Sequence, residues 1–178
     1  TLAFRRVSTG TDNVLNNIFY NQRSNSAGTG KHYNIGLNAT TNLTLDYNTY
    51  YGTGTGFIQG YVGAAGATDY STLSAWKSAT SLDANSAFGN PQYIAPTGTS
   101  STVDLHIHAT NPTPIEGYGT SIAAVTDDYD GQTRSSFTPV DIGADAGNFV
   151  AADLVTPVIT YTTLGNTTST SNRSFTNV

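Results

Sequence analysis

The sequence predicts an all-β protein, and three observations support the prediction. Short runs rich in β-branched and aromatic residues alternate with clusters of Gly, Asn, Asp and Ser, as strands alternate with turns. A helical pattern is convincing in one segment only. Of the 178 residues, 37% are hydrophobic and 11% are charged, so a core is available while Thr, Ser and Asn supply a neutral polar surface.

Six runs have the composition of strands. They are 14–20, 32–37, 42–51, 57–62, 103–108 and 158–163. The predicted helix covers 71–79, with Asp69 or Ser71 as its N-cap. Its apolar residues recur every three positions on one face, at Leu73, Trp76 and Ala79.

Two four-residue segments look like copies of one unit. Each segment, Asn17-Ile18-Phe19-Tyr20 and Asn48-Thr49-Tyr50-Tyr51, places an Asn before a β-branched residue and two aromatics. The two segments lie 31 positions apart (48 − 17). Such a period fits a solenoid, in which each coil buries its apolar face against the next. Asn suits the corners of a coil, because it tolerates left-handed backbone angles and its amides can bond from coil to coil. The spacing by itself also fits a β-sandwich or jelly roll with a coincidental echo.

The composition changes near residue 150, which predicts a boundary between a unit at 1–150 and a segment at 151–178. The run 158–163 lies in a stretch dominated by Thr, Ser and Asn. A single strand leaves its backbone donors and acceptors unpaired, so this run is expected to open a further domain that the chain does not complete. The chain is therefore expected to be an internal piece of a longer protein.

A series of short motifs between Asn16 and Phe149 carries a family resemblance. They are Asn16-Asn17-Ile18-Phe19, Asp46-Tyr47-Asn48-Thr49-Tyr50-Tyr51, Trp76 with Ala79-Thr80 and Leu82-Asp83-Ala84-Asn85-Ser86, Asn90-Pro91-Gln92-Tyr93-Ile94, Asp104-Leu105-His106-Ile107, Pro114-Ile115-Glu116-Gly117, Asp128-Tyr129-Asp130-Gly131-Gln132-Thr133-Arg134 and Asp141-Ile142-Gly143-Ala144-Asp145. In this order they resemble the C-terminal region of bacterial secreted and cell-surface proteins with a right-handed parallel β-helix, of the choice-of-anchor Q kind. Ala146 departs from the Glu that this family often has there.

The residues after 153 resemble the opening of an immunoglobulin-like β-sandwich repeat from large surface proteins of Bacteroidota that use type IX secretion. The two resemblances together imply an extracellular, adhesin-like cell-surface protein, with β-helix coils and a C-terminal cap at 1–150. They imply a non-enzymatic structural and adhesive role. The partners implied are neighbouring domains of the same larger chain, surface glycans or another cell-surface protein.

An acidic turn at 127–131 is the main candidate site. Asp128 and Asp130 stand beside Gly131, and such carboxylate oxygens are ligands that Ca²⁺ prefers. The alternative is structural: the two carboxylates close the turn through backbone bonds. In that interpretation the guanidinium of Arg134 pairs with the carboxylate of Asp141 or Asp145 and staples the end of the stack.

Other functions have weaker support in the sequence. Asp104, His106 and His108 alternate along one predicted strand, where they would share a face as metal ligands or as ordinary strand residues. Arg23, Lys31 and His32 are the basic residues that a polysaccharide lyase would need, yet the net charge of −5 disfavours an acidic substrate.

The aromatic residues and the overall charge complete the sequence analysis. Eleven Tyr and one Trp can either stack on sugar rings, as in a glycan-binding module, or pack as core. Seven scattered Lys and Arg exclude a basic stripe, so nucleic acid is not an expected partner. The sequence contains no run of about 18 apolar residues, so it does not predict a membrane-spanning helix.

Overall fold

The computed structural model describes residues 1–63 and 68–155. It is mostly strands with one α-helix, so the all-β prediction is confirmed. The first nine strands are β1 (Leu2–Arg6), β2 (Asp12–Leu15), β3 (Ile18–Asn21), β4 (His32–Leu37), β5 (Leu43–Asp46), β6 (Thr49–Gly52), β7 (Phe57–Val62), β8 (Asp69–Tyr70) and β9 (Ala87–Phe88). The helix α1 (Leu73–Thr80) lies between β8 and β9, and four more strands follow β9: β10 (Tyr93–Ala95), β11 (Asp104–Ile107), β12 (Pro112–Thr113) and β13 (Val150–Ala151). A 3₁₀ turn covers Arg134–Ser136.

Three parallel ladders order the first part of the chain. Strand β1 pairs with β4, β2 with β5 and β3 with β6, all parallel. The 31-residue period found in the sequence is the register of these ladders, since Asn17 meets Asn48 across 31 positions and Phe19 pairs with Tyr50. A third layer follows, in which β7 pairs with β4 and β9 with β6, again parallel, while β8 lies antiparallel on β7.

Left-handed residues turn the chain between strands of one layer. Asn16 has φ 56° between β2 and β3, and Tyr47 has φ 53° at the matching place between β5 and β6. The predicted runs 14–20 and 42–51 are therefore each two strands with a corner between them. The prediction placed the left-handed corner at Asn17 and Asn48; the residue before each of them takes it instead. The amides of Asn17 and Asn48 bond between layers.

Buried amides and aromatic rings fill the interior between the ladders. Asn48 Oδ1 accepts from the backbone N–H of Asn17 at 2.9 Å and from its Nδ2 at 3.2 Å. Asn34 and Gln59, both fully buried, bond side chain to side chain at 3.3 Å. The ring of Phe19 stacks on that of Tyr50 in the next layer with centroids 5.2 Å apart, and Phe4 of the same layer tilts against Phe19 at 5.3 Å. Amide and aromatic ladders of this kind stabilise parallel strands in register.

Helix α1 packs its apolar face onto this core. Leu73 and Trp76 are buried, but Ala79 is exposed, because each step of three residues falls about 60° short of a full turn and carries Ala79 off the buried face. The N-cap is Thr72 rather than Asp69 or Ser71: its side-chain oxygen accepts from Ala75 N at 3.1 Å. Ser81 ends the helix in the left-handed conformation.

A second, smaller core holds the part from β10 to β13. Strands β10 and β11 are antiparallel, and β12 pairs parallel with β13. The buried residues are Ile107, Ile115 and Ile142, and Ile18 of β3 packs against them. Strand β13 spans the predicted boundary at 150/151, and Ala152 N donates to Thr113 O at 3.0 Å. The predicted strand at 158–163 lies outside the described residues. Within residues 1–63 and 68–155, no helix has both the length and the apolar character that a bilayer span requires.

Candidate functional site

The acidic turn projects from the loop that joins β12 to β13. A bridge between Asp127 and Thr133 closes it, and Arg134 N donates to Thr126 O at 2.9 Å. Asp128 Oδ1 accepts from the backbone N–H groups of Asp130 and Gln132 at 3.0 and 2.7 Å. The structural role predicted for Asp128 is thus present, because its carboxylate organises the turn from within.

The turn also brings three carboxylates together. Asp128, Asp130 and Asp145 place one oxygen each within 4.8 Å of one another. Asp128 Oδ2 is buried and has no hydrogen-bond partner among residues 1–63 and 68–155. Oxygens bound to one Ca²⁺ at 2.3–2.6 Å are separated by distances of this order, so the set fits a hard divalent cation. Asp145 was predicted as a partner of Arg134, and its place beside Asp128 and Asp130 follows from the tertiary structure alone.

Arg134 does not pair with either predicted carboxylate, which corrects the sequence prediction. Its guanidinium donates to the main-chain oxygens of Asp141, at 2.9 Å, and Ala144, at 3.4 Å. The reason is that both carboxylates are engaged elsewhere. Asp141 accepts from the N–H groups of Gly117 and Gly147, both at 3.0 Å, and Asp145 accepts from Ile107 N at 2.7 Å.

The end of the stack is therefore stapled by carboxylate-to-backbone bonds. Asp141 is 1% exposed, and burial raises its pKa although two N–H groups oppose that shift. Burial likewise raises the pKa of Asp145, and that of Glu116, whose Oε2 accepts from Phe149 N at 2.7 Å. These three residues tie distant parts of the 107–149 region into one unit.

His106 extends the acidic group toward β11. Its Nδ1 lies 2.6 Å from Asp104 Oδ1, and its Nε2 lies 3.2 Å from Asp130 Oδ2. Hydrogen bonding to Asp104 first, and to Asp130 second, raises the pKa of His106. His108 does not share this site, since its Nδ1 contacts Thr110 at 3.3 Å. The metal set considered for the two histidines is thus not assembled.

An open groove of about 810 Å³ runs between the first layer and the loop at 120–144. Its walls are mainly apolar and include Leu15, Ile18 and Val140. Arg134 is the charged residue among those that line it, and its guanidinium is already committed to main-chain oxygens. The groove consequently offers apolar surface rather than a free cation.

Two of the three basic residues that a lyase would need, Lys31 and His32, are occupied in structural contacts. Lys31 Nζ pairs with the carboxylate of Asp69, and hydrogen bonding to Asp69 raises the pKa of Lys31. His32 is buried, with its ring nitrogens 3.1 Å from Thr1 Oγ1 and 2.9 Å from Asn25 Oδ1. Burial lowers the pKa of His32. Arg23 is exposed.

Sequence reasoning gave Asp83 no role, yet the structure surrounds it with donors. Its carboxylate accepts from Trp76 Nε1 at 2.8 Å, from Ser86 Oγ at 2.6 Å and from the hydroxyl of Tyr50 at 3.0 Å. Asn48 Nδ2 also lies 3.4 Å away. Asp83 is 1% exposed with φ 60°, and burial raises its pKa. Its sequence signals were an Asp three residues after the helix and its place in the motif Leu82-Asp83-Ala84-Asn85-Ser86.

Comparisons with models of protein families, with curated proteins and with solved structures gave no match. The residues and their geometry are therefore the basis for assigning a function.

Proposed function

We propose that this chain is a non-enzymatic structural and adhesive module of a large secreted cell-surface protein. In this proposal the three layers are coils of a right-handed parallel β-helix, residues 93–150 form its C-terminal cap, and residues from 151 begin an immunoglobulin-like domain. The observation that carries the proposal is the 31-residue register shared by the three parallel ladders that join the first two layers. The third layer adds parallel pairs at offsets of 25 (57 − 32) and 38 (87 − 49) residues. Parallel layers stacked in this way present a long ribbed surface.

The interior polar groups support a structural role. The Asn48 amide and the Asp83 carboxylate are buried and bonded to neighbouring layers, the arrangement expected of groups that hold a stack in register. The 11% charged composition fits the same role, because like charges in matching positions of successive layers would repel.

The fold is tested by adding one layer. A second copy of residues 17–47 inserted after Tyr47 adds one full period, so we expect a cooperatively folded protein whose long axis grows by about 4.8 Å in solution scattering. A scrambled insert of equal composition is the matched control and should disrupt folding. Equal behaviour of the two inserts would contradict the stacked-coil assignment.

The location and the adhesive role need a cellular test. An antibody against the protein should label intact cells that produce it, and external protease should remove the label. Beads coated with the protein should be retained on such cells under flow more strongly than beads coated with heat-unfolded protein. Labelling only after lysis, or equal retention of both kinds of bead, would refute the proposal.

Calcium enters the proposal as an ion that stiffens the acidic turn. The observation that favours it is the buried, unpartnered Asp128 Oδ2 beside Asp130 and Asp145. Titration calorimetry with Ca²⁺ should give a binding heat that Asp130→Ala abolishes. Asp153→Ala, which alters an exposed aspartate outside the cluster, should leave the heat intact. Absence of heat in the unmodified protein would remove calcium from the proposal.

A further inference from the structure

The first layer, formed by β1, β2 and β3, lies at the edge of all three of its sheets. The sheets have the orders β1-β4-β7-β8, β2-β5 and β3-β6-β9, so each begins with a strand of this layer. Within residues 1–63 and 68–155, no strand pairs with β1, β2 or β3 on the side away from the second layer. We call this side of Leu2–Arg6, Asp12–Leu15 and Ile18–Asn21 the open end.

Main-chain groups point out of the open end. In a parallel ladder a strand bonds to each neighbour through alternate residues. Thr1 O accepts from Tyr33 N of the second layer at 2.8 Å. Asn17 O likewise accepts from Thr49 N at 2.8 Å. The alternate residues of β1 and β3 therefore direct their N–H and C=O groups away from the second layer, and these residues are Leu2, Phe4, Ile18 and Tyr20. Such an edge is a template for a further strand.

The apolar core is also unfinished at the open end. Phe4 pairs with Ile35 of the second layer, and Val14 pairs with Leu45. Both partners in the second layer are buried, with Ile35 0% and Leu45 2% exposed. Phe4 and Val14 pack against the same core but are only partly buried. The first layer thus has the pattern of the second without a neighbour to complete its burial.

The corner amide of the first layer shows the same incomplete pattern. Asn48 Oδ1 accepts from the backbone N–H of Asn17, one layer earlier, at 2.9 Å. Asn17 holds the matching place in the first layer, where its Nδ2 donates to Leu15 O at 2.9 Å and to Asn48 Oδ1 at 3.2 Å. Its own Oδ1 accepts no hydrogen bond from the part of the chain that the structure describes. This oxygen is therefore available to a main-chain N–H one layer further out.

The two ends of the stack differ in how they are protected. Sheet edges are commonly blocked by Pro, by Lys or by a covering element. The strands β1, β2 and β3 contain no Pro and no Lys. At the other end, β8 lies antiparallel on β7, and helix α1 contacts both strands. The open end lacks such a cover among residues 1–63 and 68–155.

We infer that the open end binds one more parallel coil, a polypeptide segment that leads directly into β1, pairs with β1, β2 and β3 and covers Phe4 and Val14. The register supports this occupant, because β1–β3 and β4–β6 are consecutive both in the stack and in the sequence. A second copy does not fit as well, since two open ends that face one another bring their strands together in opposite directions. The inference rests on the proposed stacked-coil function and names the partner at its open end.

The test adds a copy of residues 1–31 directly before Thr1, which continues the 31-residue register. Segmental isotope labelling keeps the copy silent while NMR follows amide hydrogen exchange in the original residues. In the unmodified protein the N–H groups of Ile18 and Tyr20 should exchange quickly, and that of Phe19, which points toward β6, should exchange slowly. In the extended protein the exchange of Ile18 and Tyr20 should slow by roughly tenfold or more. A scrambled copy of the same residues is the matched control and should leave their exchange unchanged.

Unchanged exchange of Ile18 and Tyr20 in the extended protein would overturn the inference. Slow exchange of both amides in the unmodified protein would also overturn it, and twice the monomer mass in sedimentation would then assign the cover to a second copy. If neither extension folds, a synthetic peptide of residues 1–31, added in excess to the unmodified protein, must slow the same two amides or the inference fails. Cooperative folding of the insertion after Tyr47 without protection here would refute the inference alone. Equal behaviour of that insertion and its scrambled control would refute the stacked-coil function instead.

Discussion

Replacement of Asp83 by alanine is the sharpest test of how the stack is held together. In the described part of the chain, this carboxylate is the acceptor of both the Trp76 indole N–H and the Tyr50 hydroxyl. Both side chains are fully buried, so water cannot replace the lost acceptor. A buried donor left unpaired costs about 1–3 kcal/mol, which gives about 2–6 kcal/mol for the two.

The backbone adds to this cost. Asp83 has φ 60°, a conformation that Asp tolerates better than Ala, so Asp83→Ala loses about 1 kcal/mol more. Ser86 and Asn48 each lose one acceptor as well, but the Asn48 amide still donates to Val14 O at 3.0 Å, which limits its share of the loss. The expected loss of about 3–7 kcal/mol is a large share of the 5–15 kcal/mol that stabilises a typical domain.

The assay is urea unfolding followed by fluorescence and by circular dichroism. Trp76 is the one tryptophan, so its emission reports on this site, and circular dichroism separates a local change from unfolding. With a slope of about 2 kcal/mol per molar urea, the midpoint should fall by roughly 1.5–3.5 M. In a Tyr50→Phe background the same substitution should cost about 1–3 kcal/mol less, because one orphaned donor is already gone. A loss below about 0.5 kcal/mol, the range of a surface substitution, would refute the reasoning.

Three further predictions concern the layers. Asn48→Ala removes the amide that accepts from Asn17 N and should cost about 2–4 kcal/mol in urea unfolding, whereas exposed Asn38→Ala should change stability by less than about 0.5 kcal/mol; equal effects would exclude the amide ladder. Gly52→Ala places a Cβ 1.9 Å from the Phe57 ring and should lower the free energy of unfolding by about 1–3 kcal/mol, which appears as a lower thermal midpoint. Gly10→Ala, with nothing within 4 Å, should leave the midpoint unchanged. Hydrogen bonding to Arg6 lowers the pKa of Asp12 below 3.8, so its stabilising contribution is present above pH 3.8 and is lost as the pH falls through the lower folded value. As the pH is lowered, the free energy of unfolding should therefore decrease more steeply for the unmodified protein than for Asp12→Asn. An equal decrease in both proteins would contradict this.

The local elements followed from the sequence. Predicted strands 32–37 and 57–62 match β4 and β7 in full, and the helix begins two residues later than predicted. These features depend on residue propensity and periodicity, which act over a few neighbouring positions. The 31-residue period was also visible, because the first two layers both place an Asn and two aromatics at one corner.

The pairing of distant side chains was decided by the tertiary structure. Whether the Arg134 guanidinium meets a carboxylate or a carbonyl depends on which N–H groups have already engaged Asp141 and Asp145, and those belong to residues 6–38 positions away. The convergence of Trp76 and Tyr50 on Asp83 depends in the same way on how helix α1 docks.

The sequence by itself thus determined an all-β chain with a repeating layer and a neutral surface, because composition and short-range pattern set those properties. Only the tertiary structure decided which tyrosines are fully buried and which stay partly exposed. The physical reason is that neighbouring rings such as Tyr50 and Tyr51 have the same composition and propensity, and their burial differs only through the strands and the helix that pack against each.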